Sequence, residues 1–193
     1  MRNMPCFVWD QSLGALGITA FVVFIFCVFP FEITAQEPQR SSAISLEAQT
    51  HERINAHRRA EGLSPLDYDS RIATVARRHS AAMAAGKVTF GHEGFEVRWH
   101  RIEETISLRG MAENVGVNDY PDDRTVASAV SRWLASNGHR ENIEGDYDVT
   151  GIGIARGPQG AWFYTQIFVN RGRSRTAVPG IPSKGHKPDT FFP

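Results

Sequence analysis

Three short segments of this 193-residue chain carry side chains suited to chemistry. They are Phe90-Gly91-His92, Ala112-Glu113-Asn114-Val115 and Trp133-x-x-Ser136-x-Gly138-His139-Arg140-x-Asn142-Ile143. Each is expected to set a His or Glu beside a turn or a helix end, where side chains can converge on a cavity. A neutral imidazole offers a lone pair to a metal or a proton. Ser136 and His139 are three residues apart and hold the parts of a serine nucleophile with its base. Gly138 between them is expected to break the helix, which leaves their geometry open. No G-x-S-x-G elbow is present, and no H-E-x-x-H. Asn55 stands where His51-Glu52 would need a second His, and Glu96 where His92-Glu93 would.

The other polar residues have plainer readings. His79 falls on the apolar face of a helix and reads as a buried, hydrogen-bonded histidine. His51, His57 and His100 read as solvated, and His186 as part of the C-terminal tail. Trp133 and Trp162 read as core. Asn55 and Arg58 are expected to tie the first helix to neighbouring backbone. Gly151-x-Gly153 falls inside a strand, so it permits close packing and is no nucleotide loop.

The elements that must position these groups follow from periodicity and punctuation. Ser45 can cap a helix over residues 46 to about 60, ended by Gly62, with residues 36–45 before it as a polar linker containing Pro38. Asp69 or Ser70 caps a second helix to about residue 85, with Ile72, Val75, Ala76, His79 and Met83 on one face. Asp122 or Asp123 starts another, carrying Val126, Val130, Trp133 and Leu134, closed by Asn137-Gly138. Residues 149–155 and 161–169 read as an antiparallel hairpin. Both faces of the second strand are largely apolar: Trp162, Tyr164, Gln166 and Phe168 on one, Phe163, Thr165, Ile167 and Val169 on the other. Such a strand needs cover on both sides, so a sheet between two layers of helix is expected.

Together with Asn55-x-x-Arg58, Gly62-Leu63-x-Pro65-Leu66, His79-Ser80 and Tyr164-Thr165-Gln166-x-Phe168, the three segments resemble the CAP superfamily. These are the cysteine-rich secretory, antigen 5 and pathogenesis-related proteins, also called SCP-like, and the match is closest to their short bacterial, disulfide-free branch. The resemblance runs from about Leu46 to Val169. It implies an α+β fold, a three-layer α-β-α sandwich with a mixed, mainly antiparallel sheet, and a central cavity lined by two His and two Glu. His92 matches the first His, Glu113 the Glu of the G-E-N segment, and His139 the second His. Ser136 stands where the second Glu is usual, and Ala112 replaces the Gly before Glu113, so the tetrad is incomplete. His92, Glu113 and His139 could hold Zn2+ or another divalent cation with a fourth position open to water. They could equally form a metal-free hydrogen-bonded cluster, in which Glu113 would raise the pKa of a neighbouring His. Asn114, Arg140 and Asn142 are expected to support the turn that presents His139. A lipid or other small hydrophobic molecule is an implied guest near the helices.

Charge and export bound the function. The 21 basic and 21 acidic residues balance, which gives no electrostatic ground for a nucleic-acid partner. Residues 13–31 carry no charge, and Ala35 suits a signal-peptidase cut, so residues 1–35 read as a signal peptide or, if uncleaved, a membrane anchor. Cleavage would remove Arg2, Asp10 and Glu32 and both cysteines, Cys6 and Cys27, leaving a net charge of +1. The domain then spans residues 46–170, followed by a Pro/Gly-rich basic tail over 171–193 holding Arg171, Arg173, Arg175, Lys184 and Lys187. A secreted or envelope-located monomer that binds a ligand or metal is expected, more than an enzyme. The alternatives are a metal-dependent or serine-type hydrolase (peptidase) using the His/Glu cavity, and a lipid-binding or surface interaction module that uses the tail.

Overall fold

The computed structural model describes residues 36–172; residues 1–35, read above as a signal peptide or anchor, and 173–193, most of the expected tail, lie outside that range. Helix α1 spans Gln36–Ala60, α2 Ser70–Ala84, α3 Phe95–Glu103, α4 Asp122–Ala135 and α5 Asn137–Glu144. Strands β1 (Asp67–Tyr68), β2 (Gly110–Asn118), β3 (Val149–Arg156) and β4 (Trp162–Asn170) form one sheet in the order β1-β3-β4-β2. β1 and β3 are parallel, and the other two pairings are antiparallel. The sheet is mixed and mainly antiparallel, as expected.

Burial on both faces of β4 makes three layers. Trp162, Tyr164 and Phe168 pack with Leu46 and Ile54 of α1, Val126, Val130 and Trp133 of α4, and Ile143 of α5. Ile167 and Val169 pack with Ile72, Val75 and Ala76 of α2, Ile102 of α3 and Met111 of β2. α2 lies so close to β3 that a Cβ at Gly151 would overlap the backbone of Ile72 and Ala73, and one at Gly153 that of Ala76 and Arg77. These two glycines serve packing, as their place inside a strand suggested.

The elements differ from the sequence reading in several places. Residues 36–45 are helix and not linker: α1 runs through Ser45 without a break. Pro38 falls in the first turn, where a backbone N–H would have no partner in the helix. α4 is not closed by Gly138; the break comes at Ser136 (φ −94°, ψ 125°), and Gly138 lies inside α5. β1, α3, β2 and α5 answer to no expected element, and α5 begins where only a turn presenting His139 was expected. Finally, Arg171 belongs to the domain and not to a free tail, since it bonds Asp148 at 2.7 Å and Asp67 at 2.8 Å.

β2 forms one edge of the sheet. Three of its carbonyls are met by side chains: Trp133 Nε1 donates to Val115 O at 2.9 Å, Asn142 Nδ2 to Glu113 O at 3.3 Å and Arg132 Nη1 to Val117 O at 3.5 Å. Trp133 is thus core, as read, with its one polar atom bonded.

Candidate functional site

Glu113 sits in the middle of β2, opposite Ile167, and not beside a turn. That register points its side chain to the α2/α3 layer, where it is 1% exposed. A buried carboxylate needs partners, and α3 supplies the main one. Arg98, 8% exposed, shares the inner side of α3 with Ile102 one turn later. Arg98 Nε donates to Glu113 Oε2 at 2.6 Å and Nη2 to Oε1 at 2.7 Å, a two-point clasp. Its remaining protons reach Glu93 O (2.7 Å), His92 O (3.2 Å) and His79 Nδ1 (3.2 Å). All five guanidinium N–H groups therefore have acceptors.

The loop ahead of α3 presents His92. Gly94 stands at the helix N-cap with φ 76°, a conformation that favours glycine. His92 Nδ1 lies 3.0 Å from Glu113 Oε1, and the imidazole is 53% exposed. Burial pushes the Glu113 carboxyl up, but hydrogen bonds from His92 and Arg98 and the Arg98 charge outweigh it and hold the pKa below the ordinary value. An ionised carboxylate only accepts, so His92 Nδ1 carries a proton, and in the neutral imidazole the lone pair is then on Nε2. His79 is read the same way. Arg98 can only donate, so His79 Nδ1 accepts and Nε2–H donates to Gly91 O at 2.9 Å. Burial, with the nearby Arg98 and His92, lowers the His79 pKa against the opposing pull of Gly91 O and Glu113. His79 is the buried, bonded histidine that the helix pattern implied.

His139 arrives from the opposite side of β2, in the first turn of α5. It is half-buried, and burial followed by repulsion from His92 lowers its pKa. Asn114 Nδ2 donates to His139 O at 3.0 Å, and Asn142 Nδ2 to Asn114 Oδ1 at 2.9 Å, so two amides bind the start of α5 to β2. Arg140 is exposed and bonds Asn137 Oδ1 at 2.9 Å. Ser136, at the α4–α5 junction, makes its hydrogen bonds among the described residues through its backbone, to Trp133 O and from Arg140 N. Two histidines read as solvated are partly buried and bonded: His51 to Leu66 O and His57 to Glu144, each at 2.9 Å.

These side chains do not fit the three-ligand metal set. Among the described residues no three His, Cys, Asp or Glu groups are placed to hold a cation. The physical reason is Arg98. Both Glu113 oxygens are engaged by its guanidinium, and His92 spends Nδ1 on the same carboxylate. Sequence reasoning missed Arg98, and its one signal is the four-residue step to Ile102.

A sequence model of the cysteine-rich secretory protein family (CAP) matches residues 51–168. The chain belongs to the CAP family. The CAP chain is 33% identical over 129 residues to the uncharacterized membrane protein YlbC of Bacillus subtilis (strain 168), a match covering 65% of this chain and 34% of that protein. It spans between 34% and 49% of the length of the curated relatives it matches. In fold it resembles an extracellular SCP-domain protein of Bacillus anthracis (TM-score 0.60, 23% identity, 71% of this chain and 44% of that one). It also resembles an outer surface protein of Borrelia burgdorferi (TM-score 0.55, 19% identity, 66% and 93%). No helix among the described residues is long and apolar enough to cross a membrane.

Proposed function

We propose that this CAP domain is an extracytoplasmic binding scaffold, exported by residues 1–35, in which His92 and His139 face the ligand. One observation carries the reading: an exposed imidazole is held in one tautomer by a buried carboxylate that is itself clasped by Arg98. Such a group is preorganised to accept a hydrogen bond at Nε2, which lowers the cost of binding. Hydrolysis is less well served. Glu113 is a poor proton acceptor when its pKa is held low, and the Ser136 hydroxyl is not tied to an imidazole among the described residues. The extracellular and outer-surface neighbours support export.

A second reading has its own observation. An open groove of about 350 Å³ runs between α1 and α4, lined by Arg53, Ala56, Ala127, Val130, Ser131 and Leu134. Its size is at the lower end for small-molecule sites, and a lipid chain is the occupant that its apolar lining suits.

Native mass spectrometry of the full chain, secreted by a bacterial host, tests both readings. A bound small molecule lost in the His92→Ala/His139→Ala double variant supports the imidazole site. Loss in Ala127→Trp alone supports the groove. Cleavage of a fluorogenic peptide library by the wild type, abolished by His92→Ala, overturns the scaffold.

A further inference from the structure

We propose that Arg98 is the specificity-determining residue of the His92–Glu113–His139 site, a built-in cation that occupies the carboxylate and keeps divalent metal off it. The geometry is specific. The guanidinium lies 2.6 and 2.7 Å from the two Glu113 oxygens, closer than His92 Nδ1 at 3.0 Å. A metal ligated by Glu113 would have to approach those same oxygens against a full positive charge. It would also have to displace the His92 proton from Oε1.

Arg98 cannot swing aside to make room. Its other three N–H groups are spent on His79 Nδ1, Glu93 O and His92 O, so rotation would strip partners from a buried guanidinium and a buried histidine at once. The acceptors come from α2, the 91–94 loop and β2, and hold it from several directions. Lysine could not take this role, because a single ammonium lacks the planar fork that spans two carboxylate oxygens. Glu113 is thereby withdrawn from any ligand set, and only the His92 and His139 imidazoles are left to meet a partner. Exclusion of metal by Arg98 holds whatever ligand the imidazoles receive.

Calorimetric titration with Zn2+ alone tests this on the full secreted chain, with folding checked by circular dichroism. With Arg98 intact, Glu113→Gln is expected to leave Zn2+ affinity within about twofold of the wild type, or to leave both proteins without measurable heat. Arg98→Met is expected to raise Zn2+ affinity at least tenfold, a gain that disappears in Arg98→Met/Glu113→Gln. A tenfold or greater loss of Zn2+ affinity in Glu113→Gln with Arg98 intact overturns the proposal, and so does a folded Arg98→Met with no gain. If Arg98→Met does not fold, the comparison of wild type with Glu113→Gln decides alone.

Discussion

Arg98 and Glu113 form an ion pair with both side chains at or below 9% exposure, and the energetics of such pairs are lopsided. Forming one stabilises little over an apolar pair, but removing one partner strands the other without solvent. Arg98→Ala should therefore cost about 3–5 kcal/mol of folding stability, measured by urea denaturation. A loss under about 1 kcal/mol would mean that the pair behaves as a solvated one. At this scale the sequence was readable where a residue has a local signature. His79 sits on an apolar helical stripe, and Asn114 and Asn142 flank the expected site residues. Arg98 had no such signature. Its acceptors stand 19, 6, 5 and 15 residues away in sequence and are gathered only by the tertiary fold.

The glycines of β3 determine how closely α2 can lie on the sheet. Gly153→Ala would drive a methyl group into the backbone of α2, which no side-chain rotation can relieve. A loss of about 2–3 kcal/mol or more is expected, and a folded variant of unchanged urea midpoint would contradict the close approach. Legibility of the elements followed the contrast between their faces. α2 and α4 alternate apolar and polar residues at helical period, and β3 and β4 flank a Gly-Pro-Gln-Gly turn, so all four were expected close to their true limits. α3 sets Phe95, Trp99 and Ile102 at helical spacing against the α2 layer, but Arg98 stands inside that stripe, Val97 is 63% exposed, and nine residues give the period little length to show. β2 carries Glu113, Asn114, Gly116 and Asn118, residues typical of loops, because its polar side chains are satisfied by the site and by α4 and α5. The first turns of α1 are polar and contain a proline, and no sequence rule distinguishes a helix held by its later turns from a linker.

The molecule as a whole has two apolar layers sharing one sheet, with no cysteine among the described residues to link them. Ile152→Ala in one layer and Ile167→Ala in the other should each cost about 2–5 kcal/mol and shift a single unfolding transition; two separable transitions would show that the layers fold apart. Acid should weaken the fold in stages. His79 and His139 have folded pKa values below the ordinary 6.5, so the unfolded chain takes up protons first and stability falls as pH drops below that value. Glu113, held below its ordinary 4.5, adds a second decline under that pH. The urea midpoint should be lower at pH 5.5 than at 7.5, and His79→Gln/His139→Gln should flatten that first drop; an unchanged slope in the double variant would rule these histidines out as its source. The edge of β2 has a further consequence. An exposed strand edge invites pairing with another chain. Trp133 and Asn142 already occupy the carbonyls of Val115 and Glu113, so the finished domain offers an incoming strand an interrupted row of acceptors. The same indole that fills the core thereby blunts the free edge of the sheet.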